Sequence, residues 1–218
     1  MFKKLIALIA LAGMAMLLAG CGVRYTNPYA DIPKPVATMT LELEGQSYTL
    51  RFTLDPGVAP NTVSNFINLA NSGYYDGLKI DYVYPTYFIR GGDPKGDGTG
   101  GPDYTIEGEF ADNGFEFNNL RHTRGVISMC RLDDDYNSAG SQFFIMLSSH
   151  SEYNDKYAGF GYIESADAES FNTLNQIEQR TTDNEYRPIL RQTITSVRVD
   201  TKGYVYTVIK YGEEEQEQ

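Results

Sequence analysis

The chain has 218 residues, 41% of them hydrophobic and 22% charged, a composition that supplies a sizeable core and excludes wholesale disorder. Lys and Arg number 18 against 29 Asp and Glu, and the formal charge of −11 argues against nucleic acid or an anionic membrane face as partners held by net charge. With only two cysteines, Cys21 and Cys130, neither a disulfide framework nor a Cys-rich zinc site can form, so the fold stands on packing.

In chain order, Lys3 and Lys4 precede an apolar run over residues 5–18. It is too short to span a bilayer comfortably and has the order of an export signal. The run ends in Leu18-Ala19-Gly20-Cys21, which resembles the lipobox of bacterial lipoproteins. In that motif the cysteine thiol takes a diacylglyceryl group, and each methylene buried in a membrane contributes roughly 0.8 kcal/mol to anchoring. An ordinary signal peptide with an incidental cysteine is the alternative. The expectation is therefore a signal over residues 1–20, lipidation at Cys21 and an extended linker over 21–35 carrying Pro28, Pro33 and Pro35. One domain over 36–210 follows, then an acidic tail over 211–218, and the whole is an extracytoplasmic monomer tethered to a bacterial membrane.

Within the domain, Met39, Leu41 and Leu43 alternate with polar residues, and Tyr48, Leu50, Phe52 and Leu54 repeat that period after Gly45. This predicts a β-hairpin with one buried face. Over 59–71 the period becomes helical, with Val63, Phe66, Ile67 and Ala70 on one face, Pro60 at the entrance and Gly73 past the end. Strands are expected at 79–84, 87–91, 125–130, 142–147 and 157–163, a second helix at 167–179, and closing strands at 193–199 and 204–209. Many strands with two separated helices predict a closed, mainly β antiparallel barrel capped at its ends.

Several patterns suggest chemistry that their context does not support. The run Gly96-Asp97-Gly98-Thr99-Gly100-Gly101 fits a dinucleotide fingerprint in letters alone, because Pro102 and Asp103 follow where a helix should open. It reads as a tight loop with unusual dihedrals. His122 and His150, the only histidines, lie among no cluster at ligand spacing, and Asp133 to Asp135 fail the calcium-loop spacing because Phe144 stands at position twelve. No metal and no cofactor is expected.

Four blocks carry a resemblance: APNTVSNFINLANSGYYDGL from Ala59, FIRGGDPKGDGTGG from Phe88, RGVISM from Arg124 and NSAGSQFFI from Asn137. In this order and spacing they resemble the cyclophilin family of peptidyl-prolyl isomerases. The resemblance implies an eight-stranded antiparallel barrel capped by two helices, a proline-binding groove on its outer face, and proline-containing peptides or unfolded exported proteins as partners. The chemistry it implies needs no cofactor. Amide resonance sets a barrier of about 18 to 20 kcal/mol to rotation of the peptide bond. An apolar pocket that grips the proline ring, with donors that stabilise a pyramidal prolyl nitrogen, lowers it.

By the resemblance, Gln142 is a backbone-gripping amide, Phe144 the pocket floor, Phe88 an apolar pocket residue and Tyr87 its aromatic neighbour. Residue alternation alone leaves Phe144 equally suited to the barrel core. Cys130, Arg131 and Tyr157 fall at the groove edge, and Cys130 reads as a small buried hydrophobe rather than a nucleophile.

The departures matter more. The family usually reads Phe-His-Arg ahead of two aliphatics and a proline, and this chain has Ile80-Asp81-Tyr82, so Tyr82 stands where the catalytic Arg belongs. On the neighbouring strand, where the family has Gln, this chain has Arg90. If the strands pair around Thr86, positions 82 and 90 face each other and the Arg90 guanidinium reaches the same groove. Tyr82, Arg90 and Gln142 are thus the candidate catalytic residues. Glu152 falls where an aromatic or His often lines the groove and Tyr153 where the family often has Leu, which implies an altered peptide preference and weak cyclosporin inhibition. A proline-peptide binding module or holdase without catalysis is the alternative that Tyr82 favours.

Overall fold

The computed structural model describes residues 30–212 of the chain. The signal segment, Cys21, most of the linker and residues 213–218 lie outside the described residues. The strands are β1 (Val36–Leu43), β2 (Gln46–Leu54), β3 (Ile80–Tyr84), β4 (Phe88–Gly91), β5 (Val126–Met129), β6 (Phe143–Met146), β7 (Gly159–Tyr162) and β8 (Gln192–Asp200). Helix α1 covers Pro60–Asn71 and α2 covers Ala168–Glu178.

The β1–β2 hairpin pairs Leu43 with Gln46 across Glu44 and Gly45, both at positive φ (52° and 78°), the turn that matches the twist of paired strands. Alternation then sends Ala37, Met39, Leu41 and Leu43 of β1 and Leu50, Phe52 and Leu54 of β2 into the core. All strand pairs are antiparallel, in the order β3-β4-β6-β5-β7-β2-β1-β8. The two ends of this sheet meet where Lys79, just before β3, bridges Thr193 of β8, with the Gly77 amide donating to the Ile194 carbonyl and the Ile194 amide to Leu78. That seam makes a nearly closed barrel, as the strand count implied.

Helix α1 packs against β8 and β7 and inserts Phe66 among Phe160, Tyr75 and Phe143, with ring centroids 5.1 to 6.1 Å apart. Its N-cap, Ala59, has no side chain that can accept a bond from the first turn. Glu109, from a loop far along the chain, does so instead: its carboxylate accepts from the amides of Asn61 and Thr62 and from the Thr62 hydroxyl, at 2.7 to 2.9 Å. Burial pushes that carboxyl up to about 7 against these three bonds.

The strand expected over 204–209 is absent. This stretch joins no ladder, because asparagine side chains of α1 take its backbone groups: Asn61 bonds both the amide and the carbonyl of Ile209, and Asn68 donates to the Tyr206 carbonyl. The last residues of the expected linker already pack on the domain. Ile32 packs on the core, the Pro33 carbonyl accepts from the Tyr206 hydroxyl, and Lys34 pairs with Asp55.

Candidate active site

Strands β3, β4, β6 and β5 are neighbours, and their shared register sorts side chains into two faces. Ile80, Val83, Ile89, Ile127, Phe143 and Ile145 point into the barrel core. On the outer face one row runs Tyr82, Arg90, Phe144, Ser128, each residue directly opposite the next. The pairing turns at Thr86, as the sequence required for Tyr82 and Arg90 to meet.

This outer face floors a groove of about 880 Å³, large enough for a short peptide rather than a single ring. Nine of the expected site residues line it: Tyr82, Phe88, Arg90, Cys130, Arg131, Gln142, Phe144, Tyr153 and Tyr157. Phe144 is 3% exposed and belongs to a separate outer cluster with Val126 and Met146, flanked by Phe88, Tyr153 and Tyr157, so it is a pocket floor and not part of the barrel interior. Its ring lies 5.4 to 5.7 Å from those of Phe88, Tyr153 and Tyr157. Burial, reinforced by Tyr157, holds the Tyr153 phenol up to about 12, so it stays neutral.

Behind the floor, His122 stacks on Phe144 at 6.0 Å and is buried between Ser128 and Asn154, to which its two ring nitrogens bond at 2.9 and 3.2 Å. Burial lowers its pKa. A neutral ring accepts from the Ser128 hydroxyl while donating to the Asn154 carbonyl. His122 is thus a wedge under the floor, which explains a histidine whose sequence context offered no partner.

At the other end, Gln142 donates its amide to the carbonyls of Gly98 (3.0 Å) and Gly100 (2.8 Å). Its own carbonyl oxygen has no partner among the described residues. The glycine-rich loop that meets it is wound around the Asp93 carboxylate, which accepts from the amides of Lys95, Asp97 and Gly98. These glycines serve a turn about a carboxylate, with Gly96 and Gly98 at positive φ.

Arg90 lies with its guanidinium 5.4 Å over the Tyr82 ring and bonds Asp81 through Nε and Nη2. Burial opposes its charge, and the Asp81 carboxylate outweighs burial and raises its pKa. Tyr82 stacks on Phe88 at 5.8 Å, and burial raises its phenol, which remains a donor at neutral pH. Burial pushes the Cys130 thiol up to about 12, so it is no nucleophile. Arg131 is gripped between the rings of Tyr136 and Tyr157 at 4.5 Å, and its Nε and Nη1 donate to loop carbonyls, so it braces the groove wall.

Tyr87 and Glu152 do not line the groove. Tyr87 sits outside the rim, stacked between Tyr84 (4.4 Å) and His150 (4.1 Å), because the left-handed Thr86 beside it turns the chain there. Glu152 lies in a 3-10 turn over Ser151–Tyr153, where successive side chains are about 120° apart. That turn puts Tyr153 over Phe144 and sends Glu152 to solvent, where it pairs with His150. Asp81 and Tyr186 were not foreseen. Tyr186, from the segment between α2 and β8, accepts from the Val83 amide at 2.8 Å and packs its ring against Tyr82 and Tyr84, covering the outer edge of β3.

The comparisons agree with this geometry. Residues 38–199 match the family model described as cyclophilin type peptidyl-prolyl cis-trans isomerase/CLD. The chain is 42% identical over 116 residues to peptidyl-prolyl cis-trans isomerase B of Bacillus subtilis, covering 53% of this chain and 76% of that one. It is 37% identical over 135 residues to a peptidyl-prolyl cis-trans isomerase of Synechococcus elongatus, covering 62% and 86%. A crystal structure of a Cryptosporidium parvum cyclophilin type isomerase determined in the presence of the dipeptide Ala-Pro superposes with a TM-score of 0.65 and 29% identity, over 77% of this chain and 99% of that one. The chain therefore belongs to the cyclophilin-type peptidyl-prolyl cis-trans isomerases, and the isomerase activity implied by its motifs is that family's activity.

Proposed function

We propose that this chain catalyses cis–trans exchange of X-Pro peptide bonds with the Arg90 guanidinium, and the Tyr82 hydroxyl beside it, in the role the family gives to the Arg absent from position 82. The observation that carries this reading is the direct pairing of Tyr82 with Arg90 on the groove face. Phe144 and Phe88 grip the proline ring, Gln142 accepts a backbone N–H of the peptide, and the guanidinium donates to the prolyl nitrogen as it pyramidalises. A donor bonded there weakens the resonance that makes rotation slow. Nothing is transferred.

The lipobox-like end of the signal segment supports a second part of the proposal: acylation at Cys21 tethers the enzyme outside the cytoplasm, where its substrates are exported proteins passing through slow prolyl steps. Cells carrying Cys21→Ser should release the chain from the membrane fraction, and continued retention contradicts the anchor.

The activity is tested by measuring exchange of an Ala-Pro peptide by NMR with the wild type and Arg90→Ala. Acceleration that falls about a hundred-fold in the variant, with peptide shifts still perturbed, supports the reading. An unchanged rate in Arg90→Ala overturns it, and a wild type that binds peptide without accelerating exchange is a binding module.

A further inference from the structure

Behind Arg90 stands a carboxylate that the reaction itself does not require. Ile80 pairs with Gly91 and Tyr82 with Arg90, so one residue of β3, Asp81, is left over between two successive residues of β4. This is a β-bulge, the device by which a strand re-aims a side chain beside a site. The Asp81 side chain is 3% exposed. Its Oδ2 accepts from both Nε and Nη2 of Arg90, and its Oδ1 is buried without a partner among the described residues. A buried carboxylate oxygen left unbonded is costly to keep. The arrangement persists because the other oxygen fixes a cation.

Two contacts hold that cation. Asp81 binds its inner edge, and the Tyr82 ring covers one side at 5.4 Å. A Cβ at Gly98 would stand 3.4 Å from both Nη1 and Nη2, and the φ of +92° there suits only glycine. Nη1 has no hydrogen-bond partner among the described residues, and Arg90 lines the groove with its side chain 26% exposed. Three of the positions where this chain departs from the family, Asp81, Tyr82 and Arg90, are thus one contact set. We infer that Asp81 is the positioning residue of the relocated donor: its buried carboxylate fixes the Arg90 guanidinium through Nε and Nη2 and leaves Nη1 to face the proline peptide.

This inference rests on the reading of Arg90 as donor, and its test separates the two. The full-length protein, Asp81→Asn, Arg90→Ala and the double variant are compared for kcat and KM on an Ala-Pro peptide. Misplacement of a reacting group by about 1 Å costs on the order of a hundred-fold. Asp81→Asn should lower kcat ten- to a hundred-fold with KM within twofold of wild type, and the double variant should be no slower than Arg90→Ala alone. If Asp81→Asn is as fast as wild type while Arg90→Ala is slow, Asp81 has no positioning role and Arg90 remains the donor. If losses multiply in the double variant, Asp81 acts by another route and the inference fails. If Arg90→Ala is itself as fast as wild type, the functional reading fails first.

Should Asp81→Asn not fold, the wild type carries the test in its arginine side-chain NMR signals. The Nε–H and Nη2–H protons of Arg90 should exchange slowly with solvent and the Nη1 protons quickly, with Ala-Pro slowing Nη1 alone. Equal exchange at all three nitrogens overturns the inference.

Discussion

The two ends of the groove are built on different terms. At the pocket end, Phe144, Phe88, Tyr153 and Tyr157 hold one another by ring contacts of 5.4 to 6.1 Å, with His122 wedged beneath the floor. At the donor end, a single guanidinium depends on one carboxylate and one ring. Packing fixes each aromatic through many neighbours at once, and Phe144 keeps the residue that its family's motif has there. A polar donor needs only to reach the prolyl nitrogen. Positions 82 and 90 sit opposite each other on one face, so under the proposed relocation the donor changes strands while its target stays where it is.

If that contrast holds, damage at the two ends should read out differently. The largest effect is expected from Phe144→Ala. Removing a buried aromatic costs about 3 to 5 kcal/mol. The variant should lose Ala-Pro binding, followed by peptide titration, and also unfold at lower denaturant. Retained affinity would show that the ring belongs to the fold alone.

Next comes Glu109, which tests whether stability is set away from the groove. Its carboxyl, held up to about 7 in the folded chain, lies above the range it has when unfolded. Between those two values the folded state binds more protons than the unfolded one. Stability should therefore fall as pH rises from the ordinary carboxylate range through about 7, by roughly 3 kcal/mol in all. Urea unfolding at pH 5 and pH 8 checks this, and Glu109→Gln should flatten the difference without changing the exchange rate of the folded protein.

The smallest effect is expected at the donor end's second member. Tyr82→Phe keeps the ring over Arg90 and removes one hydroxyl, and one hydrogen bond of about 1 kcal/mol corresponds to a rate loss of about fivefold. A loss as large as that of Arg90→Ala would make the phenol the principal donor.

Much of this was legible in the chain. Period-two alternation gave the hairpin, the 3.6 period gave α1 and α2, and the family blocks put Gln142 and Phe144 on the groove. Register was legible too, since a turn at Thr86 sets Tyr82 against Arg90. What escaped the reading depends on contacts distant in sequence. Glu109 caps a helix about fifty residues before it, and residues 204–209 alternate like a strand while their bonds go to asparagines of α1. Asp81 left one trace, a lone carboxylate inside an apolar and aromatic strand, but the bulge that turns it toward Arg90 is a matter of pairing. Glu152 and Tyr87 lie at a 3-10 turn and a tight β-turn, where one residue's difference swings a side chain out of the groove and the position in the sequence does not show it.

The most direct test of donor relocation is an exchange of residues between the paired strands. Ala-Pro isomerisation is measured by NMR for the wild type, Arg90→Gln and the double variant Tyr82→Arg/Arg90→Gln, which carries the family's usual pair. Relocation predicts that Arg90→Gln loses about a hundred-fold in rate while the double variant returns to within about tenfold of wild type. An Arg90→Gln protein as fast as wild type would contradict it.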